Sequence, residues 1–519
     1  MVQKYVHALG TGLMFCLAIV LAGCSHTVPQ HHTTTSAVAL AEARNTTLGK
    51  AIAPQTDAHK GQSGIYLLDA PHDAFAARML LARAAERSLD IQYYIWRKDT
   101  TGILLLEALH AAADRGVRVR LLIDDNGNAG LDAQLAALDT HPNIEVRLFN
   151  PFYLRKLKIL GYLTDFKRAN RRMHNKSFTA DNQATIIGGR NIGDEYFGAT
   201  DNVLFSDLDV LAVGPVVQEV SKDFDLYWAS QSSFPVAQVL PAATSDALDA
   251  LAVTATSTER STGAASYMKV LGGLPIVQEL IDGKLALDWA PTRMVSDDPR
   301  KGQGEVQGKD LLIHQLSDIV GEPERSLNLI SSYFVPTKTG TEAFVAMARK
   351  GVKVRIFTNS LAATDVAVVH AGYAKWRKDL LNAGIMLYEM RRSDSEQERP
   401  RSRPGRFGSS GSSLHAKTFS VDGQHFFVGS FNFDPRSAAL NTELGFVIES
   451  PALAQKIAAA FDSDIPLRSY EVRLSEDGDL YWLEHHDGKL LRHDTEPETT
   501  VWKRAGVWFS SHLPIDWLL

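Results

Sequence analysis

Apolar runs and amphipathic stretches alternate along this chain, and the alternation occurs twice. "ERSLDIQYYIWRKDTTGILLLEALHAAADRGVRVRLLID" begins at Glu86, and "ERSLNLISSYFVPTKTGTEAFVAMARKGVKVRIFTN" begins at Glu324. Each pattern predicts a buried strand, a loop, an amphipathic helix, a glycine turn (Gly116, Gly351) and a second buried strand. Strands apolar on both faces and joined by a helix argue for parallel β-α-β units. The fold class is therefore read as α/β, with two related lobes at 62–235 and 311–470. Residues 1–23 carry an early lysine, a short apolar core and a small-residue exit, the pattern of an export signal rather than a membrane span. Residues 24–61, rich in Thr, Ala, His and Gln, read as a flexible tether, with His31 and His32 as solvated linker. Residues 236–310 read as a small, polar linker or insertion with one helix, and 471–519 as a hairpin cued by Asp487-Gly488 plus an aromatic tail.

Composition sharpens three points. A length of 519 residues suits roughly two to four domains. A net charge of −6 gives no global pull toward nucleic acid, so none is expected as a partner and any anion affinity must be local. The two cysteines are Cys16 and Cys24. Leu21-Ala22-Gly23-Cys24 resembles the bacterial lipobox, which implies cleavage before Cys24 and acylation of its thiol. The mature chain would then hold no thiol pair, and disulfides play no part. The expectation is an exported lipoprotein on the periplasmic side. Ser25 points to the outer membrane, and outer versus inner stays open.

A second repeat lies inside the first. "MHNKSFTAD" sets His174, Lys176 and Asp181 in an H-x-K-x4-D pattern, and "LHAKTFSVD" repeats it with His415, Lys417 and Asp422. Fourteen residues after each histidine comes G-[GS]-x-N, with Gly188-Gly189-Arg190-Asn191 in one copy and Gly429-Ser430-Phe431-Asn432 in the other. The two repeats are displaced by nearly equal amounts, 238 and 241 residues. One domain is thus duplicated, each copy carrying half a site. On a strand, residues two apart point the same way, so each histidine and its lysine face one spot.

Two such half-sites meeting at the lobe interface would surround one cavity with two imidazoles and two ammonium groups. That charge calls for an anion, and lysine serves phosphate oxygens as a compact point charge. Asn191, Ser430 and Asn432 could donate further hydrogen bonds. Paired histidines suit two-step phosphoryl chemistry, one attacking phosphorus and the other moving protons. No metal or other cofactor is required, because the lysines stabilise the developing charge.

The paired motifs resemble the phospholipase D superfamily over roughly residues 62–519. "GGRNIGDEYFG", "FSDLDVLAVGPVV", "TNSLAATDVAVVHAGYAKWR" and "GSFNFDPRS" narrow the resemblance to its cardiolipin synthase C-like branch. It implies two pseudo-twofold-related lobes, each a mixed, mostly parallel sheet flanked by helices, with the site between them. It implies phosphatidyl transfer onto the headgroup hydroxyl of phosphatidylglycerol, from phosphatidylglycerol or phosphatidylethanolamine. His174 would be the nucleophile and His415 the general acid and base. Lys176, Lys417, Asn191 and Asn432 would bind phosphate. Asp207 and Glu443, 33 and 28 residues past their histidines, would orient them. Asp181 and Asp422 belong to the catalytic motif but read as holding strand and turn. Tyr333, His370 and Tyr373 follow strands of the second lobe and could face the pocket or pack. Arg190 and Arg436 could serve phosphate or lobe-to-lobe ion pairs. The lipobox departs from that branch, which leaves the leaflet open.

Residues 151–172 mix Phe152, Tyr153, Leu157, Ile159 and Leu160 with seven cations, as an interfacial segment would. Trp502, Trp508, Phe509 and Trp517 in the tail suit the headgroup level. The partner is thus a phospholipid membrane, and a helper protein is compatible with the branch although no segment points to one. Two further readings stay open: a hydrolase acting on phospholipids, less readily nucleic acid, with water taking the second step, and an inactive lipid-binding scaffold.

Overall fold

The computed structural model describes residues 35–200, 204–392, 413–486, 488–513 and 516. The strands of the first half are β1 (Ser63–Leu68), β2 (Ser88–Ile95), β3 (Arg118–Gly127), β4 (Ile144–Phe149), β5 (Ser177–Ala180), β6 (Ala184–Gly188), β7 (Phe205–Ser206), β8 (Asp209–Val213), β9 (Ser233–Pro235) and β10 (Asp288–Ala290). Those of the second are β11 (Thr292–Ser296), β12 (Ser326–Ser331), β13 (Lys353–Asn359), β14 (Met386–Met390), β15 (Ser413–Leu414), β16 (Lys417–Val421), β17 (His425–Gly429), β18 (Leu444–Glu449), β19 (Ser469–Leu474), β20 (Leu480–His486) and β21 (Lys489–His493).

Among the described residues these form a nine-stranded sheet, β10-β1-β8-β6-β5-β2-β3-β4-β9, and a ten-stranded one, β11-β18-β17-β16-β12-β13-β14-β19-β20-β21. The run β1-β8-β6-β5-β2-β3-β4 is matched strand for strand by β11-β18-β17-β16-β12-β13-β14, so the duplication read from the sequence is one of whole sheets. Both expected β-α-β units form, with helices at Thr100–Asp114 and Thr337–Arg349. Asp99 caps the first by accepting from the Gly102 amide. Gly116 and Gly351 end the connections at φ of 90° and 94°, a left-handed conformation that favours glycine.

The sheets are mixed, but not mostly parallel. Within the two large sheets parallel pairing is confined to β2–β3–β4 and β12–β13–β14. The motif strands and their neighbours are antiparallel because tight turns join them, as in β5–β6 and β16–β17. Each sheet has its own core with its helices. A third core lies between the sheets, where Ile65, Ile187 and Val210 meet Phe426, Val428 and Phe446. That shared core holds the two halves face to face.

Two stretches are more ordered than their composition suggested. Within the expected tether, Leu40–Ala43 and Thr47–Ala58 are helical, and Leu48 and Ile52 join the first core. A two-residue apolar stripe among Thr and Ala carries little signal. Within 236–310, three helices at Ala247–Arg260, Thr262–Gly272 and Ile276–Ile281 insert Leu251, Tyr267, Leu271 and Leu280 into the same core. At the C-terminal end β20 and β21 pair as a hairpin and extend the second sheet, followed by a helix at Val501–Ser511. Cys16, Cys24, His31, His32, residues 393–412, Asp487 and Trp517 lie outside the described residues. Among the described residues no helix is long and apolar enough to cross a membrane.

Candidate active site

His174 and Lys176 lead into β5, and His415 and Lys417 lead into β16, the equivalent strand of the other sheet. The backbone just before each histidine crosses the seam between halves. β15 pairs in parallel with β7, and Met173 forms a parallel bridge with Thr442. The His174 amide donates to the Thr442 carbonyl at 2.9 Å, and the His415 amide to the Ser206 carbonyl at 2.7 Å. One residue further on, His174 stands beside Glu443 and His415 beside Asp207.

The orienting pairs are therefore exchanged between halves. His174 Nδ1 lies 2.8 Å from Glu443 Oε2, and His415 Nδ1 lies 2.6 Å from Asp207 Oδ2. The sequence reading joined each carboxylate to the histidine upstream in its own half; the seam ladders make the opposite assignment. A carboxylate accepts, so Nδ1 carries the hydrogen and Nε2 of each ring is left as the reactive nitrogen.

Both histidines line one cavity of about 720 Å³, with Asn191, Asn432, Tyr94, Tyr196, Tyr333 and Arg436 on its wall. Arg392 and Ser413, which flank positions 393–412 in the chain, line it too. Lys176 and Lys417 are buried behind the wall, each donating to the carbonyl of its own histidine. Asn432 Oδ1 accepts from Ser332 Oγ at 2.9 Å, leaving its amide hydrogens as donors. Asn191 accepts from the Ile95 amide and donates to the Tyr196 hydroxyl.

Several expected site residues do other work. Asp181 accepts from the backbone amides of Glu86, Arg87 and Ser88, and Asp422 from those of Glu324, Arg325 and Ser326. Both clamp the start of a central strand and neither lines the cavity. Ser430 is fully buried and donates to Glu443 Oε2, so it supports the orienting carboxylate instead of reaching the phosphate position. Its counterpart is Gly189, where a Cβ would stand 2.1 Å from Asp207 Oδ1. The shorter aspartate sits closer to its strand and leaves no room for a serine. His370 and Tyr373 pack away from the cavity, against Arg377, Glu496 and Glu389. Arg190 is held within the first half, donating to the Leu68, Asp69 and Asp207 carbonyls, whereas Arg436 crosses to Asn170.

A family described as "Cardiolipin synthase, PLD-like domain" matches residues 80–228 and 316–465. Cardiolipin synthase C of Escherichia coli K12 is 52% identical over 472 residues, covering 91% of this chain and 99% of that one. The chain belongs to the phospholipase D-like cardiolipin synthase family. An uncharacterised Helicobacter pylori protein is 31% identical over 90% of this chain and 92% of its own. The crystal structure of Haemophilus influenzae phosphatidylserine synthase shares the fold, at a TM-score of 0.57, 14% identity and coverage of 88% and 95%.

In this cardiolipin synthase-family site burial dominates the charge states. Burial pushes His174 well below the usual imidazole range, with Lys176 and Lys417 adding to the push. Burial lowers His415 too, reinforced by Lys417 and opposed by Asp207. Both lysines are lowered by burial against the pull of Asp207 and Glu443. The two carboxylates part company. Burial raises Glu443 to about 7, against Lys176, while at Asp207 the same effect is outweighed by His415 and Lys417, which hold it at about 2. Four desolvated cationic groups around one cavity gain most from an anion that restores their protons.

Of the aromatic walls, sequence reasoning offered Tyr333 but not Tyr94, Tyr196 or Phe205. Tyr94 meets the His174 ring edge-on at 5.1 Å, and Tyr196 and Phe205 of the first half flank His415 of the second. The repeat held a usable signal, since Tyr94 and Ser332 each stand eight residues past the start of their copy, at the strand end facing the site. Asp297 and Lys301 were also missed. Asp297 Oδ2 accepts from Lys301 Nζ at 2.8 Å and from the Glu443 amide at 3.0 Å, and Lys301 donates to the Ser437 carbonyl. This buried pair holds the backbone of Glu443 just ahead of β18.

Proposed function

We propose that this chain is a phosphatidyltransferase that forms cardiolipin from phosphatidylglycerol and a second phospholipid, phosphatidylglycerol or phosphatidylethanolamine. The observation that carries the reading is the pair of crossed histidine–carboxylate dyads facing one cavity, each backed by a buried lysine. The cardiolipin synthase relatives supply the substrate class.

In the first step His174 Nε2 attacks the donor phosphorus. The bond from phosphorus to the headgroup oxygen breaks, and His415, protonated at Nε2, gives its proton to the leaving alkoxide. Glu443 holds the His174 tautomer and Asp207 stabilises the His415 imidazolium. Lys176, Lys417 and the Asn432 amide stabilise charge on the non-bridging oxygens. In the second step His415 takes the proton of a phosphatidylglycerol hydroxyl, whose oxygen attacks the phosphatidyl-histidine. The nitrogen–phosphorus bond breaks and cardiolipin leaves.

Labelled phosphatidylglycerol, with and without phosphatidylethanolamine, tests this directly. Labelled cardiolipin is the expected product. Phosphatidic acid alone would reassign the chain as a hydrolase, and full activity of His174→Ala would overturn the assigned nucleophile.

Membrane association goes with the family, and the mode of attachment is proposed from Leu21-Ala22-Gly23-Cys24. Acylation at Cys24 on the periplasmic side tethers the folded body, each buried CH₂ contributing about 0.8 kcal/mol. Incorporation of labelled palmitate into the native chain and its loss in Cys24→Ala are the expected results.

A further inference from the structure

Residues 153–166 fold inside out. Three short helical turns, at Arg155–Leu157, Lys158–Thr164 and Phe166–Ala169, carry the segment. Three of their cations turn inward. Arg155 pairs with Asp125 and Asp132, Lys158 donates to the Asp125 carbonyl, and Arg168 binds Asp165 and Asn150. Their apolar groups turn outward. Tyr153 is 73% exposed, Leu163 is 75% exposed, and Leu154, Leu157, Leu160 and Phe166 are exposed beside them. A segment solvated by water would do the reverse.

The helix Val501–Ser511 repeats the pattern on the other half. Among its side chains Val507 is buried, packed on Leu361 and Ala371. Trp502, at 86% exposure, Trp508 and Phe509 stand in solvent. Contiguous exposed apolar surface of this kind marks an interaction site.

Both patches adjoin the cavity. Tyr162, inside the first, donates to Asn126, which donates to the hydroxyl of Tyr94 on the cavity wall. Leu361, beneath the second, is followed in the chain by Ala362 and Ala363 of the wall. Lys503 of the helix lies within electrostatic reach of Arg392, also on the wall. The exposed Lys167 of the first segment, the exposed Arg392 of the cavity wall and the half-buried Lys503 of the helix add positive charge.

We infer that the two patches form one docking face, seated in the surface of a bilayer containing anionic phospholipid, with the cavity mouth between them. The inference rests on the phosphatidyltransferase reading for its choice of occupant. Leucine and aromatic side chains enter the acyl boundary, tryptophans lodge at headgroup level, and the cations meet lipid phosphates. The phosphodiester is thereby delivered at the depth of the histidines without the lipid leaving its leaflet.

The test compares two substrates with the full chain: phosphatidylglycerol in vesicles, and a short-chain phosphatidylglycerol held below its micelle concentration. Leu157→Ser with Leu163→Ser, and separately Trp502→Ser with Trp508→Ser, should cut turnover on vesicles about tenfold and leave the monomeric substrate within about twofold. A second readout needs no turnover. Brominated phosphatidylglycerol vesicles should quench the native tryptophan fluorescence, and the tryptophan double variant should lose most of that quenching. If native protein is quenched but turns over neither substrate, the face stands and the transferase reading falls. Equal rates on both substrates with unchanged quenching overturn the face. So does a dimer in solution that either variant converts to monomer, which would assign the patches to a second copy of the chain.

Discussion

Asp207→Asn tests the exchange of orienting partners. The asparagine oxygen can still accept from His415 Nδ1 at the site of the present 2.6 Å contact, so the ring stays placed while the charge and the Leu208 amide's acceptor are lost. The gap between the ordinary 3.8 and the value of about 2 at Asp207 corresponds to about 2 kcal/mol of favourable interaction with its surroundings. His415 and Lys417 are the largest favourable contributors. With most of that interaction returned to the imidazolium, kcat should fall by about 30-fold while KM changes little. The pH profile carries the sharper signature. In the folded protein Asp207 raises His415 against burial and Lys417. Removing the charge lowers the imidazole further, so the protonated acid is lost at lower pH and the alkaline limb of the kcat profile moves down. Cardiolipin formation from phosphatidylglycerol vesicles across pH measures both effects, with a melting curve as the fold control. An unchanged alkaline limb with kcat within threefold of the native chain would refute the reasoning. A shift of the acid limb instead would return Asp207 to His174.

Glu443, raised by burial to about 7, must be ionised to hold the His174 Nδ1 hydrogen, so its protonation should give the native profile an acid limb. Glu443→Gln should lower the plateau and remove that acid limb, which the same profiles read. Asp297→Asn leaves Lys301 a buried charge without its carboxylate and should cost about 3 kcal/mol in denaturant melts. It should also lower kcat with KM held, because the asparagine has a single acceptor oxygen for the two sites that now hold the Leu312 and Glu443 amides. Asp181→Ala orphans backbone amides at the start of β2 and should cost about 2 kcal/mol. Asp422→Ala should cost less, its site being partly solvated, and both should keep kcat within about threefold at a temperature where they fold.

What the sequence revealed was what short range determines. The β-α-β units follow from runs of apolar residues, whereas the strand expected under His174 and Lys176 begins only at Ser177. Repetition supplied the rest of the half-sites and their meeting at one cavity. The exchange of Asp207 and Glu443 was hidden because it depends on the ladders Met173–Thr442 and β15–β7, which join residues more than 200 positions apart. Asp297 and Lys301 read as a polar loop until the fold carries them behind Glu443. Ser430 was assigned to phosphate by its motif, yet burial and a longer acidic side chain turned its hydroxyl the other way. The antiparallel majority escaped notice because β-α-β units are conspicuous in sequence and tight hairpins are not.

The exchanged dyads bind the two halves into one working body. Pulling them apart would strip both imidazoles of their acids in a single motion and break the backbone ladders beside them. A clamshell cycle, opening to admit lipid and closing to react, is thus incompatible with retaining either reactive ring in its tautomer. Headgroups must come and go through a standing doorway, and any gating belongs to its rim.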